Sequence, residues 1–241
     1  MINSPQEEPE EQHWLEPYFN FACTEVSRSG GKNFNHMETE KPFEQFIPEI
    51  GLAKDKDLTD ISRLQQENLA RNVSDKEKRQ QGFVSVETSP KLLKEIAGQE
   101  GITVARVGEK VVGYLMPMSV EHGKQIPLLD PFLERFKSIQ FEGKSLDEYR
   151  YCILAQVCID KNYRAKGMLE KLYQELEARL ADEYDLGVSE IGANNPRSLH
   201  AHLDKVGLKV VEQYSAEGKD WYIVILDFRP YREKFNRQRK T

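Results

Sequence analysis

The 241-residue sequence has no apolar run close to the roughly 20 residues that are needed to cross a bilayer. Residues 1–16 are acidic and lack the basic and apolar regions of a secretion signal. Cysteine is also scarce, because Cys23, Cys152 and Cys158 are an odd number without metal-ligand spacing. These absences argue against a membrane protein, a disulfide scaffold and a metal site. We therefore expect a soluble protein in a reducing, cytoplasmic setting with no bound metal.

The composition, 39% hydrophobic and 31% charged, fits one domain with extensions. Its net charge of -6 is unevenly placed. Residues 1–50 carry ten acidic and three basic side chains, whereas 229–241 carries six basic and one acidic. Without a sustained period, residues 1–45 are predicted to form a flexible acidic extension. The basic end is short and has few aromatics, which favours a solvated tail over a nucleic-acid contact.

Between these ends, residues 46–228 alternate helical and strand patterns. The predicted elements, in order, are a strand at 50–53, helices at 57–72, from 74 and from 90, a hairpin at 102–107 and 110–116, strands at 151–159 and 190–193, helices from 168 and at 196–206, and a hairpin at 208–214 and 221–228. This order predicts a mixed α/β (α+β) fold with a mostly antiparallel central sheet flanked by helices. Residues 119–150 form an insertion whose helical part, 131–139, could act as a lid over a site or could only cover the sheet.

The most informative segment is the turn after the long strand. Asp160–Asn162 end that strand, and an apolar helical stripe then begins at Met168. The backbone N–H groups of 164–169 should therefore lie at a helix start, where they have no intrahelical partner and attract anions. Gly167 allows an anion to approach the backbone closely, and Arg164 and Lys166 add positive charge. The turn predicts a phosphate site.

This turn matches neither a Gly-x-x-x-x-Gly-Lys-Ser/Thr loop nor a Gly-x-Gly-x-x-Gly loop. It resembles the Arg/Gln-x-x-Gly-x-Gly/Ala pyrophosphate loop of the GNAT superfamily of acetyltransferases. Arg164, Gly167 and the preceding Tyr163 match, whereas Leu169 stands where that family has Gly or Ala. The order of elements over 49–228 is also the GNAT order.

A second segment resembles the late motif of the same family. Asn195, Ser198, His202 and Gly207 follow the family's pattern. Two departures are visible: Leu208 replaces the usual Phe, and the interval from His202 to Gly207 is one residue longer than usual. The two motifs together imply a GNAT-like fold and acetyl-CoA as co-substrate.

The resemblance also assigns candidate site residues. The pyrophosphate would be held by the turn, the pantetheine arm and thioester by the backbone of the strand before it, and further contacts would come from the late motif. The candidate cofactor-binding residues are Val157, Cys158, Ile159, Arg164, Ala165, Lys166, Gly167, Met168, Leu169, Asn195 and Ser198. For Cys158, no partner close in sequence supports a nucleophile, and a small buried side chain is the better interpretation. Asn195 could instead cap a helix.

Two residues are candidates for catalysis. His202 could protonate the departing thiolate or contact the sulfur, although an uncatalytic, partly exposed histidine fits equally. Glu190, predicted to begin a strand, could deprotonate the acceptor, although a solvated carboxylate or a water chain would also fit.

The resulting hypothesis is an acyltransferase that moves an acetyl group from acetyl-CoA to a primary amine of a small molecule or peptide. The alternatives are a transferase of longer acyl groups and a non-catalytic acyl-CoA-binding module. No membrane or nucleic-acid partner is expected, and a homodimer is left open.

Overall fold

The computed structural model of the protein describes residues 48–216 and 218–238. The predicted acidic extension at 1–45 lies outside the described residues, and so do the last three residues of the basic end. In the described part of the chain, no helix combines the length and the apolar character that crossing a membrane requires. The same residues contain no group of three or more His, Cys, Asp or Glu side chains arranged to hold a metal.

The described strands and helices follow the predicted order closely. The strands are β1 (Glu49–Leu52), β2 (Thr103–Val107), β3 (Lys110–Met118), β4 (Gln140–Phe141), β5 (Lys144–Ser145), β6 (Tyr151–Ile159), β7 (Leu186–Gly192), β8 (Lys209–Ala216) and β9 (Lys219–Asp227). The helices are α1 (Leu58–Asn68), α2 (Asp75–Gln81), α3 (Pro90–Gln99), α4 (Val120–Gly123), α5 (Asp130–Arg135), α6 (Met168–Leu180), α7 (Pro196–His200) and α8 (Arg229–Gln238). Short 3-10 turns precede α1, α5, β6 and the phosphate turn.

Seven of these strands form one sheet in the order β1-β2-β3-β6-β7-β9-β8. Every neighbouring pair is antiparallel except β6 and β7, which run parallel. The predicted mixed α/β fold with a mostly antiparallel sheet is confirmed. The single parallel pair matters for the site, because it lies at the centre of the sheet.

Helices cover both faces of the sheet. On one face, α6 buries Leu172, Leu176 and Leu180 in a cluster with the strands. On the other face, α1 and α3 bury an apolar stripe that includes Ile61 and Ile96. Serine side chains cap α2 and α3 at Ser74 and Ser89, at the two helix starts that the sequence predicts. The central strands are therefore held from two sides, which fixes the position of their ends.

The insertion at 119–150 packs as part of the second face. Phe132, Phe136 and Ile139 are each at most 4% exposed and belong to the same core cluster as α1 and α3. The ring of Phe136 meets Tyr151 of β6 edge-on, with centroids 5.3 Å apart. The helix predicted within 131–139 is present as α5, and its buried anchors make it a wall beside the sheet.

Three local features differ from the prediction. The strand expected at 190–193 is longer and begins four residues earlier, at Leu186. The helix expected over 196–206 is an α-helix only to His200 and continues as a π-helical turn over Ala201–Val206. The basic end, expected to be a solvated tail, forms α8 over ten of its residues.

The π-helical turn explains the unusual spacing in the late motif. The N–H of Gly207 donates to the carbonyl of His202, five residues earlier, at 3.0 Å. A π turn takes up one more residue than an α turn. Gly207 then ends the helix in the left-handed region, with φ of 85°. The π-helical turn thus accommodates the extra residue between His202 and Gly207.

Candidate active site

The site is built where β6 and β7 separate. Their parallel ladder pairs only Tyr151–Ile153 with Leu186–Val188. Directly after it, the hydroxyl of Ser189 donates to the carbonyl of Leu154 at 2.8 Å, so a side chain takes the place of the next ladder bond. Beyond this point no ladder joins the two strands in the described residues. The backbone edge of β6 from Ala155 to Ile159 therefore faces a gap between the strands.

A bulge on the other edge of β6 accompanies this separation. Met116 pairs with Gln156, whereas the next residue, Pro117, pairs with Leu154, which leaves Ala155 as an extra residue. Proline has no N–H to give to a ladder, and a bulge bends the strand that contains it. Pro117 lies beyond the part of β3 that pairs with β2, so it is tolerated there. The bulge at Ala155 therefore bends β6 directly beside the gap between β6 and β7.

The predicted phosphate turn lies at the end of β6. Ala165 and Gly167 both have left-handed backbone, with φ of 58° and 72°. Gly167 directly precedes α6, and a Cβ built on it meets no heavy atom within 4 Å. Met168, Leu169 and Glu170 open the helix, so their N–H groups lack intrahelical partners. This geometry supports the predicted anion site, with the backbone as its main donor.

The two cations of the turn are less free than the sequence suggests. Arg164 donates to Ile159 O at 2.8 Å, to Asn68 Oδ1 at 2.6 Å and to Gln81 O at 3.1 Å. Burial lowers the pKa of its guanidinium. Lys166 donates to Asn162 O at 3.1 Å. Arg164 therefore ties the ends of α1 and α2 to the turn, and its attraction for an anion is secondary to that role.

A cleft of about 600 Å³ connects the turn with the end of β6 and the late helix. Val157, Cys158 and Ile159 line one side, Ser198 and His202 line another, and the turn closes one end. Leu169 also lines it, so the departure from the family's small residue narrows this end. Nearly all the predicted cofactor residues thus meet in one cleft. Lys166, Asn195 and Glu190 are the predicted site residues that do not line it.

Cys158 is buried in this cleft wall and is 5% exposed. Burial raises the pKa of its thiol to about 12, and its Sγ lies 3.7 Å from Leu64 O. A thiol with that pKa is not a nucleophile at neutral pH. The prediction of a small buried side chain agrees with this environment. Val157 and Ile159 are half-buried, and both line the cleft.

Asn195 is 5% exposed, and its side chain is fully used within the protein. Its Oδ1 accepts from the N–H of Ser198 at 3.4 Å, and its Nδ2 donates to Phe83 O at 3.0 Å. It therefore caps α7 and binds the segment at 82–84 to the late helix. Of the two roles predicted for Asn195, the structure supports the helix cap.

His202 is buried, at 6% exposed, with its ring edge-on to Tyr173. Its Nδ1 lies 2.7 Å from Ser198 O. A carbonyl only accepts, so the hydrogen bond assigns the proton of the neutral ring to Nδ1 and leaves Nε2 as an acceptor. Burial lowers the pKa of His202, which keeps the ring neutral. The proton-donor role predicted for His202 is not supported, because a neutral ring in this tautomer has no proton on Nε2.

Glu190 lies within β7, whereas the sequence predicts it at a strand start. The hydroxyl of Tyr214, on β8, donates to its carboxylate. Burial raises the pKa of Glu190 to about 7, although the bond from Tyr214 acts in the opposite direction. The alternative of a fully solvated carboxylate is therefore excluded. A carboxyl group with this pKa can accept a proton near neutral pH.

A second, smaller cavity of about 80 Å³ contains Glu190 and continues the cleft. The two cavities share Phe83, Val84, Val157, Ser198 and His202. Gln156 also lines the smaller one, but its amide is held by Tyr114, Gln65 and Val86 O at 2.6–3.0 Å. His202 and Glu190 thus lie along one continuous space, with the phosphate turn at its far end.

Sequence reasoning missed several residues of this space. Phe83 and Val84, from the segment after α2, line both cavities, and Leu129, Phe132 and Trp221 line the smaller one. Tyr214 was also missed as the partner of Glu190. These residues carry no local motif. The length of the insertion and the aromatic residues of the last hairpin were the sequence features that pointed to this space. Neither feature predicts which residues come into contact.

No protein-family model matches the sequence, and no curated protein matches it. Solved structures do match. Smu.2055 from Streptococcus mutans UA159 is 14% identical with a TM-score of 0.51, covering 75% of this chain and 99% of that one. An N-acetyltransferase from Staphylococcus aureus Mu50 is 18% identical with a TM-score of 0.50, covering 76% and 99%.

A GNAT-family protein from Desulfovibrio desulfuricans is 13% identical with a TM-score of 0.50, and it also covers 76% of this chain and 99% of its own. At such identities the likeness concerns the fold. The chain has the GNAT fold, which confirms the fold that the two sequence motifs imply.

Proposed function

We propose that the protein is an acetyl-CoA-dependent N-acetyltransferase that acts on a primary amine. The observation that carries the proposal is the joining of an anion-binding helix start to a gap between β6 and β7 in one cleft. The first part suits a pyrophosphate. The second offers unpaired backbone groups to an amide-containing arm, in a space of about 600 Å³.

The residues present fit a coenzyme A molecule. A Cβ on Gly167 would stand in open space, so an anion can approach the backbone there. Arg197 and Lys205 line the cleft as exposed cations, whereas Glu170 and Asp204 line it as anions. Because the side-chain charges nearly balance, the backbone N–H groups are the main ligands of the phosphates in this proposal.

The overall reaction converts acetyl-CoA and an ammonium ion into an N-substituted acetamide, free coenzyme A and one proton. The amine nitrogen forms a bond to the thioester carbonyl carbon, and the carbon–sulfur bond breaks. Glu190 takes the proton that the ammonium ion must lose before attack, which suits its pKa of about 7. His202 forms part of the wall where the two cavities meet, with Nε2 available to accept a hydrogen bond. The thiolate takes its proton from solvent.

The direct test measures thiol release from acetyl-CoA with a panel of amines. Gly167→Asp, which puts a carboxylate beside the phosphates, should weaken coenzyme A binding in calorimetry by roughly 10- to 100-fold. Gly167→Asn is the matched variant, because asparagine tolerates left-handed backbone and carries no charge. It should bind clearly better than the Asp variant. Gly143→Asp, at a left-handed glycine in the β4–β5 turn, controls for backbone strain.

Three outcomes separate the candidate functions. Thiol release with an amine supports the proposal, and faster release from octanoyl-CoA than from acetyl-CoA would favour the longer-acyl alternative. Tight coenzyme A binding without release for any acceptor would identify a non-catalytic binding module. Equal binding by the Gly167→Asp and Gly143→Asp variants would show that the phosphate site lies elsewhere.

A further inference from the structure

The smaller cavity, here called the acceptor pocket, has a definite chemistry. It is lined by residues 153–157 in the middle of β6 and 189–192 at the end of β7, by Leu129 and Phe132 of the insertion, and by Trp221 of β9. It opens into the cleft at Val157, Ser198 and His202. An acceptor in this pocket would therefore meet the acyl group at the junction of the two spaces.

Charge is the first property that restricts the occupant. Among the described residues that line the acceptor pocket, Glu190 is the one carboxylate, and none is Lys or Arg. Arg135 of the insertion, which lies over the ring of Tyr214, is already paired with Glu212 at 3.3 Å. A carboxylate on the acceptor would face Glu190 without a cation to bind it.

Shape is the second property. The pocket measures about 80 Å³, which leaves room for a handful of non-hydrogen atoms. Leu129, Phe132 and Ile153 form one apolar side of the pocket. The side chains of Gln156, Ser189 and Asn195 also line it, but each already donates a hydrogen bond to a backbone carbonyl of the protein. Because Phe132 packs edge-on against Phe136 at 4.7 Å, the insertion holds this wall in place. Short aliphatic groups suit such a surface, whereas additional polar groups would be left unpaired.

We propose that the acceptor is a monoamine with a short apolar chain and no carboxylate beside its nitrogen. The ammonium group pairs with Glu190, and the chain packs on Leu129 and Phe132. This inference rests on the proposed acetyltransferase function and narrows its substrate class. In the transfer, the ammonium ion gives one proton to Glu190 before the nitrogen attacks, and the second departs as the acetamide forms.

The test compares amines with the amino acids that differ from them by one carboxylate. Isobutylamine is set against valine and isoamylamine against leucine, with thiol release from acetyl-CoA as the readout. We expect kcat/KM for each amine to exceed that of its amino acid by about 100-fold or more, because placing like charges together without a cation greatly weakens binding. A short peptide with a free amino terminus is the third acceptor.

A variant pair tests the wall. Leu129→Ala should shift the ratio of kcat/KM for hexylamine over isobutylamine toward hexylamine by about 10-fold. Leu128→Ala is the control, because Leu128 is 46% exposed and does not line the pocket. A ratio of two substrates is independent of how much of a variant is folded. An unchanged ratio in Leu129→Ala would show that this wall of the insertion does not determine which amine is accepted, and would contradict the proposed packing of the acceptor chain on Leu129.

The failures can be told apart. If valine, leucine or the peptide reacts as well as the matched amines, the inference falls and the acetyltransferase function stands. If no acceptor of any class releases thiol although coenzyme A binds, the proposed function itself falls, and the inference falls with it.

Discussion

Glu190 holds a carboxyl group in a place where ionisation is costly. Burial raises its pKa to about 7 from the ordinary value of 4.5. The folded state therefore binds this proton more tightly than the unfolded state, and stability falls as the pH rises from about 4.5 to 7. Two charged side chains lie near Tyr214, the hydrogen-bond partner of Glu190. They are Arg135 and Glu212, which form an ion pair, so their effects on the pKa of Glu190 largely cancel.

The first prediction concerns Glu190→Gln. The amide cannot ionise but still accepts from Tyr214, so at pH 8 the variant should be more stable than the parent by at most about 3 kcal/mol. At pH 4.5 the two should melt together, because the parent is then protonated. Thermal melts over this range measure the difference. A difference that does not change with pH would show that Glu190 titrates normally.

His202 gives a second prediction at the same scale. With its proton on Nδ1 and its pKa lowered, it lacks the proton that a general acid must supply. We expect His202→Ala to lower kcat by less than about 10-fold, below the usual worth of acid catalysis. The melting temperature should fall, because the ring packs on Tyr173.

The contrary result is well defined. If His202→Ala lowered kcat by about 100-fold or more at an unchanged melting temperature, the proton-donor role of His202 would be restored. Ser198→Ala is the companion variant. It removes the hydroxyl 3.3 Å from Nδ1 but keeps the carbonyl that fixes the tautomer, so its kcat should stay close to the parent's.

At the scale of elements, local patterns predict most of the fold. Caps and periodicity predict the starts of α2, α3 and α6 within one residue, and both ends of β6. The start of β7 was missed because glycine is depleted in strands. In the structure a Cβ on Gly187 would lie 2.7 Å from Leu154, so close packing between the two parallel strands requires the glycine there.

The candidate site likewise has one part that local sequence patterns predict and one part that they do not. The phosphate turn is local, and its residues could be found from Gly167 and the start of a helical stripe. The acceptor pocket joins residues far apart in the chain, such as Leu129, Glu190 and Trp221. Such contacts follow from topology, and a single sequence does not state which hairpin lies against which insertion.

The π-helical turn yields a third prediction. Deleting the exposed Lys205 should convert the turn into α-helix and change the position of His202 relative to Gly207 and β8. Since π turns are less favourable than α turns and often occur at functional sites, we expect the melting temperature to stay within a few degrees while thiol release falls by roughly 2- to 10-fold, no more than for His202→Ala.

Lys205→Ala is the control for that deletion, because it removes the same cation from the cleft without shortening the chain. Its turnover should match the parent's. If the deletion and the substitution have equal activity, the spacing between His202 and Gly207 has no functional role.

For the whole molecule, Asp185 joins segments that are distant in sequence. Its carboxylate accepts from Arg150, at the start of β6, at 2.8 Å and from Arg232, on α8, at 2.7 Å. Both arginines hold the pKa of Asp185 well below its usual range. Arg232 also donates to Ala181 O and Tyr184 O, just past the end of α6. Arg232 thus ties the basic end of the chain to the segment between α6 and β7, and Arg229 adds a second tie by donating to Glu142 of the insertion at 2.6 Å.

The last prediction tests this tie. Arg232→Ala leaves two backbone carbonyls without their donor and removes one of the two arginines that bind Asp185, and should lower the free energy of unfolding by about 1–3 kcal/mol. The melting temperature should then fall by roughly 2–4 °C for each kcal/mol. Arg237→Ala, one and a half turns later in α8 with its side chain 81% exposed, should cost less than about 0.5 kcal/mol.

The effect of Arg232→Ala should also depend on pH with a fixed sign. Because the folded-state pKa of Asp185 is lowered, its contribution is complete above the unfolded value of 3.8 and is lost as the pH falls below it. Melts at pH 7 and pH 3 should therefore show a smaller difference between parent and variant at the lower pH. Equal losses for Arg232→Ala and Arg237→Ala would mean that the hydrogen bonds of Arg232 to Ala181, Tyr184 and Asp185 add nothing to the domain's stability.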